Sequence, residues 1–174
     1  YVPQGRGLFA GMTVRENLSL GRLARKTDGS SGVVWDEAQI LDYFPRLRER
    51  MDVAADYLSG GEQQMVAVAR AMSGNVKLLL LDEPFEGLAP TVILELFKVF
   101  DRLRQHVSIV IVEHNLDLVL ALADRVFALE RGAVFHTGPS TVNGPSTSGA
   151  SSEVEASGSH PPIRSPSANP RRTL

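Results

Sequence analysis

Cysteine is missing from all 174 residues, which rules out a disulfide framework and any thiolate metal site. A long apolar run is missing too. The most hydrophobic stretches, Leu78 to Leu81 and Val107 to Val112, have strand length and fall short of the roughly 18 to 20 residues of a membrane-spanning helix. Membrane association would therefore have to come through a partner protein. The first residues lack the basic-then-apolar pattern of a secretory signal. Nor is there an excess of one charge: a net charge of -2 and a pI near 6.1 give no basis for binding nucleic acid or an anionic membrane. What is present is ordinary globular material, 43% hydrophobic and 22% charged, long enough for about one domain.

Tyr1-Val2-Pro3-Gln4 reads as the end of a strand running into a loop. A domain rarely begins inside an element, because that strand's neighbours would be unpaired. The expectation is a truncated chain whose start is not a natural N-terminus.

Thr13-Val14-Arg15-Glu16 has the spacing of a capping box and opens a short helix with Leu18, Leu20 and Leu23 as apolar contacts, weakened near its middle by Gly21. Residues 26–32 read as a polar Gly/Ser loop. A second helix starts near Asp36, with Ile40, Leu41 and Phe44 on one face before Pro45. Ser59, spaced to Glu62 as in a second capping box, opens a third helix through Val66, Ala69 and Ala71.

After Gly74 the texture changes. Val76 to Leu81 is a continuous apolar run ending at Asp82-Glu83-Pro84, as a buried parallel strand would. Residues 91–105 are amphipathic, with Leu94, Phe97 and Leu103 among the apolar positions. Val107 to Val112 is β-branched and ends at Glu113-His114. A short helix over 116–123 leads to a hairpin, 125–130 and 133–137, turning at Arg131-Gly132. The class is α/β: a helical part over about 10–75 attached to an α/β part over about 76–138. Six of the ten prolines lie beyond position 138, and with few large aliphatics there, residues 139–174 read as a disordered Pro/Ser/Gly-rich tail.

Four places along the chain are candidates for chemistry. Leu58-Ser59-Gly60-Gly61-Glu62-Gln63 places two glycines and a hydroxyl at a helix N-terminus, where exposed amides and the helix dipole suit a terminal phosphate; in isolation the alternative is a capped helix start after a Gly-rich turn. Asp82 and Glu83 stand at the carboxyl end of a strand, where α/β folds bind ligands. Asp82 could hold Mg²⁺ through water and Glu83 polarise an attacking water, or the pair could be a solvated acidic turn. His114, after the next strand, could stabilise charge developing on a γ-phosphate or simply cap a strand end. Gln4, in Pro-Gln-Gly, is the weakest signal and is also read as a turn.

Taken together and in order, Gln4, Leu58 to Gln63, Asp82-Glu83 and His114 resemble the Q-loop, signature motif, Walker B motif and switch histidine of the ABC ATPase family, over about residues 1–137. The resemblance implies part of a P-loop NTPase domain with a helical signature subdomain. Its cofactors are ATP and Mg²⁺, with Glu83 and His114 as catalytic residues. Gln4, Ser59, Gly60, Gly61, Glu62 and Gln63 would contact nucleotide, and Asp82 and Gln4 the metal. The flanks, Tyr1 to Phe9, Leu58 to Ala71 and Phe85 to Pro90, resemble the ATPase subunits of branched-chain amino-acid importers, with urea and short-amide importers close behind. Ala89 stands where many members have Asp. Implied partners are a second ATPase subunit, identical or not, and membrane permease subunits, with no nucleic acid and no direct membrane insertion. The location implied is peripheral, on the cytoplasmic face of the inner (plasma) membrane.

No Gly-x-x-x-x-Gly-Lys-Ser/Thr occurs in the sequence, and there is no Gly-Lys pair. That loop supplies the amides and lysine that hold the β- and γ-phosphates. The expectation is that this chain alone does not hydrolyse ATP, and that exposed apolar strand surface makes it aggregate. The rival readings are a non-catalytic half contributing only its signature motif, and a soluble ABC ATPase unconnected with transport.

Overall fold

Both expected capping boxes form, at Thr13–Glu16 and at Ser59–Glu62. The computed structural model describes residues 1–23 and 32–140. Within it, the Thr13 amide donates to the Glu16 carboxylate at 2.7 Å and the Glu16 amide to the Thr13 hydroxyl at 3.2 Å, starting α1 (Val14–Leu23). Asp36 and Gln39 make a further reciprocal cap at the head of α2 (Glu37–Tyr43). After two 3₁₀ turns, Pro45–Arg50 and Ala55–Tyr57, Ser59 and Glu62 start α3 (Gly60–Met72).

Helix α1 packs on α3, and Gly21 is what lets it. A Cβ built there would overlap the Arg70 carbonyl oxygen and lie 2.9 Å from the Ser73 Cβ. The glycine expected to weaken this helix instead permits the close approach. Val14, Leu18, Ile40, Phe44, Leu47 and Val66 meet in the core beneath. Leu23 turns to solvent, because the buried face of α1, made by Val14, Leu18 and the hydrogen-bonded Asn17, is spent before the last turn. Of the apolar positions on α4, Leu94 is exposed; Leu96, Val99, Phe100 and Leu103 form the buried face.

The second part is β1 (Leu78–Asp82), α4 (Pro90–Leu103), β2 (Ser108–Val112), α5 (Leu116–Leu122), and the hairpin β3 (Arg125–Glu130) and β4 (Ala133–Pro139). Strands β1 and β2 pair in parallel, Leu78 opposite Ser108 and Asp82 opposite Val112, with α4 as the crossover. Val2 adds a parallel bridge to Leu81, its amide donating to Leu80 at 2.8 Å and its carbonyl accepting from Asp82 at 3.0 Å. Strands β3 and β4 pair antiparallel, turning at Arg131 and Gly132, both at positive φ, as expected. The tail boundary moves: Pro139 pairs with Arg125 and the Ser140 hydroxyl donates to the Leu120 carbonyl. Residues 24–31, the greater part of the polar loop, and 141–174, nearly all of the tail, lie outside the described residues.

Strand β1 is not buried on both faces. Leu79 and Leu81 point into the core at 1% exposure, whereas Leu78 and Leu80 stand at 49% and 40%. Their neighbours Val110 and Val112 on β2 are exposed on the same face. The continuous apolar run is thus the signature of a two-sided strand whose second face is uncovered here.

Candidate functional site

The carboxyl ends of β1 and β2 gather most of the candidate residues. The ladder closes with the Glu83 amide donating to the Val112 carbonyl at 2.9 Å. Glu83 then adopts φ 46°, a left-handed conformation that non-glycine residues hold only when their surroundings over-determine it. Here the constraint comes from both sides. The β1–β2 rung holds its amide, and two residues on, buried Phe85 stacks edge-on against Phe100 of α4 at 5.6 Å. The turn therefore presents the Glu83 side chain outward from a rigid base.

Gln4 reaches this turn from the loop after the Val2 bridge. Its amide nitrogen donates to the Glu83 and the Glu86 carboxylates, each at 2.8 Å. The His114 imidazole Nδ1 lies 3.8 Å from Glu83 Oε1, too far for a hydrogen bond but near enough for charge interaction when the ring is protonated. Asp82 accepts from the Tyr1 hydroxyl at 3.1 Å, and that bond raises the phenol pKa above its usual value. Gln4, Asp82, Glu83 and His114, separated by up to 110 positions, thus meet at one strand end. Sequence reasoning missed Tyr1 and Glu86; the three-residue spacing of Glu86 from Glu83 was the available signal.

The carboxylate and amide oxygens here are hard ligands that suit Mg²⁺. Among the described residues, no three acidic or imidazole groups converge enough to hold a metal by themselves. A cation at Asp82 would need oxygens from water or phosphate, which is how Mg²⁺ is usually bound. These residues would suit a cation that brings its own water or phosphate oxygens, not a metal site built of protein alone.

The signature residues form a second, separate group. Ser59 gives its hydroxyl proton to Glu62 at 2.7 Å, and Glu62 also takes Arg50 at 2.9 Å. Arg50 first, then the Ser59 hydroxyl and amide, hold the Glu62 carboxyl at about 2. The first-turn donors left to a phosphate are thus the Gly60 and Gly61 amides; the Ser59 hydroxyl is already engaged within its cap. Gly61 sits so close to α4 that a Cβ would lie 2.8 Å from Val92. Among the described residues, no hydrogen bond or ion pair joins Ser59 to Gln63 with Asp82, Glu83 or His114. The link between the groups is Arg6, whose guanidinium donates to Gln63 at 2.8 Å while Gln4, two residues earlier, holds the acids.

A parallel β-α-β unit with acids at the strand ends, attached to a helical part that presents a capped Gly-Gly helix start, defines the ABC cassette class of nucleotide-binding domains. Comparison with known proteins agrees. The family model described as ABC transporter matches residues 1–86. The high-affinity branched-chain amino acid transport ATP-binding protein BraG of Pseudomonas aeruginosa is 45% identical over 134 residues, 76% of this chain and 56% of that protein. The probable branched-chain amino acid transport ATP-binding protein LivF of Archaeoglobus fulgidus is 36% identical over 79% of this chain and 58% of its own length. An ATP-binding cassette of an ABC transporter, solved in its ADP conformation, matches with a TM-score of 0.60 at 28% identity, over 75% of this chain and 56% of that one. A bacterial cassette solved as a dimer shares the fold, with a TM-score of 0.63 at 23% identity. The chain belongs to the ABC transporter ATPase family, and it spans a little over half the length of these relatives.

Proposed function

We propose that this chain carries the hydrolytic acids and the signature motif of an ABC importer ATPase, and that branched-chain amino acids are the cargo. The observation that carries the reading is the meeting of Gln4, Glu83, Glu86 and His114 at the end of β1 and β2. The cargo rests on similarity: identity to the branched-chain protein BraG is 45%, against 39% for a molybdenum, 35% for a choline and 31% for a lipopolysaccharide transport ATPase.

Bound ATP with Mg²⁺ supplies the phosphoryl group and the charge neutralisation that hydrolysis needs. Asp82 would hold the metal through water, with Gln4 beside it. Glu83, set on a rigid turn, orients and polarises the attacking water. His114 meets the charge that develops on the γ-phosphate. Gly60, Gly61 and the Ser59 to Gln63 turn would face the nucleotide of a second ATPase subunit. The intact Asp82, Glu83 and His114 favour this over a half that only lends its signature motif.

No described helix is long and apolar enough to cross a membrane. The proposed attachment is peripheral, through permease subunits on the cytoplasmic face of the inner membrane. By itself the chain is proposed not to turn over ATP, because its 174 residues contain no Gly-x-x-x-x-Gly-Lys-Ser/Thr. Phosphate release from the purified chain tests this: no Mg²⁺-dependent rate is expected, and a rate that Glu83→Gln abolishes would refute it. Cargo is tested by leucine uptake in cells lacking their own branched-chain importer and supplied with a full-length ATPase that contains these residues, together with branched-chain permease subunits. Uptake lost on Glu83→Gln supports the reading; uptake of another solute with none of leucine overturns the cargo.

A further inference from the structure

Glu113 has no part in the mechanism above, yet its carboxylate is fully committed to backbone. Oε1 accepts from the Phe85 amide at 3.2 Å, and Oε2 accepts from the amides of His114 at 3.2 Å and Asn115 at 3.4 Å. Phe85 belongs to the loop after β1, two residues past Glu83. His114 and Asn115 begin the loop after β2. One carboxylate therefore spans both loops just beyond the last rung of the ladder, the Glu83 to Val112 hydrogen bond.

Past that rung, sheet pairing no longer holds the two loops together, and their spacing has to be set by something else. His114 is 72% exposed, and its imidazole has Glu83, at 3.8 Å, as its described charged neighbour. Its location accordingly follows from its backbone. Glu83, at φ 46°, likewise depends on the loop around it. A side chain that merely finished its own strand would need only the amides next to it. The Phe85 contact instead crosses 28 positions of sequence and lands on the loop that carries Glu83.

We propose that Glu113 is a positioning residue that sets the separation between the Glu83 carboxylate and the His114 imidazole by bracing the amides of both loops. Its importance for turnover rests on the proposed roles of Glu83 and His114. The brace itself can be measured without nucleotide.

The experiment is NMR on the full 174-residue chain, reading the nuclear Overhauser contact between the His114 ring and the Glu83 side chain and the amide exchange of Phe85. Cross-strand contacts between Leu80 and Val110 report the fold. Glu113→Ala is expected to remove the His114–Glu83 contact and to speed Phe85 exchange by about tenfold or more, with the Leu80–Val110 contacts retained. Glu113→Gln has one acceptor oxygen and can satisfy only one loop, so it is expected to weaken the same contact in a folded chain; it decides the matter if the alanine variant does not fold. An unchanged His114–Glu83 contact and Phe85 exchange in the folded variants overturns the proposal. So does a loss seen only together with the Leu80–Val110 contacts, which would make Glu113 a general fold contact. If the brace behaves as expected but Glu83→Gln leaves uptake intact, the hydrolytic reading fails and the brace stands.

Discussion

The Arg6 guanidinium donates to the Gln63 side-chain oxygen at 2.8 Å, tying the loop that bears Gln4 to the first turn of the signature helix. Arg6 takes φ 62° to do so, and its Nη2 would lie 3.2 Å from a Cβ on Gly60. Arg6→Ala should remove both the bond and the packing. A loss of about 1 to 2 kcal/mol is expected for a part-buried bond to a charged donor, read as a lower urea midpoint with unchanged slope. An unchanged midpoint would show that the loop is held without it.

Acid should weaken the fold through Glu62. Its carboxyl stands at about 2 in the fold against 4.5 ordinarily, so on acidification the unfolded chain takes up this proton first. The stability it contributes is complete above about pH 4.5 and is lost as pH falls toward about 2. Urea midpoints measured across that window should fall more steeply for the wild type than for Glu62→Gln. Parallel curves would mean that the Arg50 and Ser59 contacts do not persist in solution.

Two glycines should resist alanine and a third should not. Helix propensity alone says that Gly21→Ala stabilises α1 by up to about 1 kcal/mol. The overlap with the Arg70 carbonyl says the opposite, a loss of about 1 to 3 kcal/mol as for other overpacked sites. Gly61→Ala, facing Val92 at 2.8 Å, should also destabilise. Nothing lies within 4 Å of a Cβ on Gly11, and Gly11→Ala should stay within about 0.5 kcal/mol of wild type. Thermal melts of the three variants separate these cases.

The exposed face of β1 and β2 should make the chain sticky. Leu78, Leu80, Val110 and Val112 form a contiguous apolar strip, the kind of surface that drives association. Leu80→Lys with Val110→Thr is expected to reduce dye binding and light scattering while changing the melting temperature little. Unchanged scattering would place the association surface elsewhere, for instance on the exposed Phe127 and Phe135 of the hairpin.

Much of this was legible along the chain, because the controlling interactions are short-range. Ser59 and Glu62, like Thr13 and Glu16, are three residues apart and cap whatever helix follows. The hairpin at Arg131-Gly132 follows from a glycine, which takes positive φ without steric cost, set between two strand-like runs. Asp82-Glu83 after four leucines marks a strand end without reference to anything distant. The packing role of Gly21 and the exposure of Leu23 were not legible because other elements set them: α3 approaches the first, and the buried face of α1 ends before the second.

By itself the sequence determined which segments become helix or strand, where they start, and which motifs they carry, since these depend on neighbours a few positions away. Only the tertiary structure decided that Gln4, Tyr1 and Glu86 join the acids, that Arg6 reaches Gln63, and that Glu113 spans two loops. It also decided that one face of β1 lies open. Those outcomes depend on which strands and loops lie side by side after 28 to 82 intervening positions, a property of packing that no local pattern encodes.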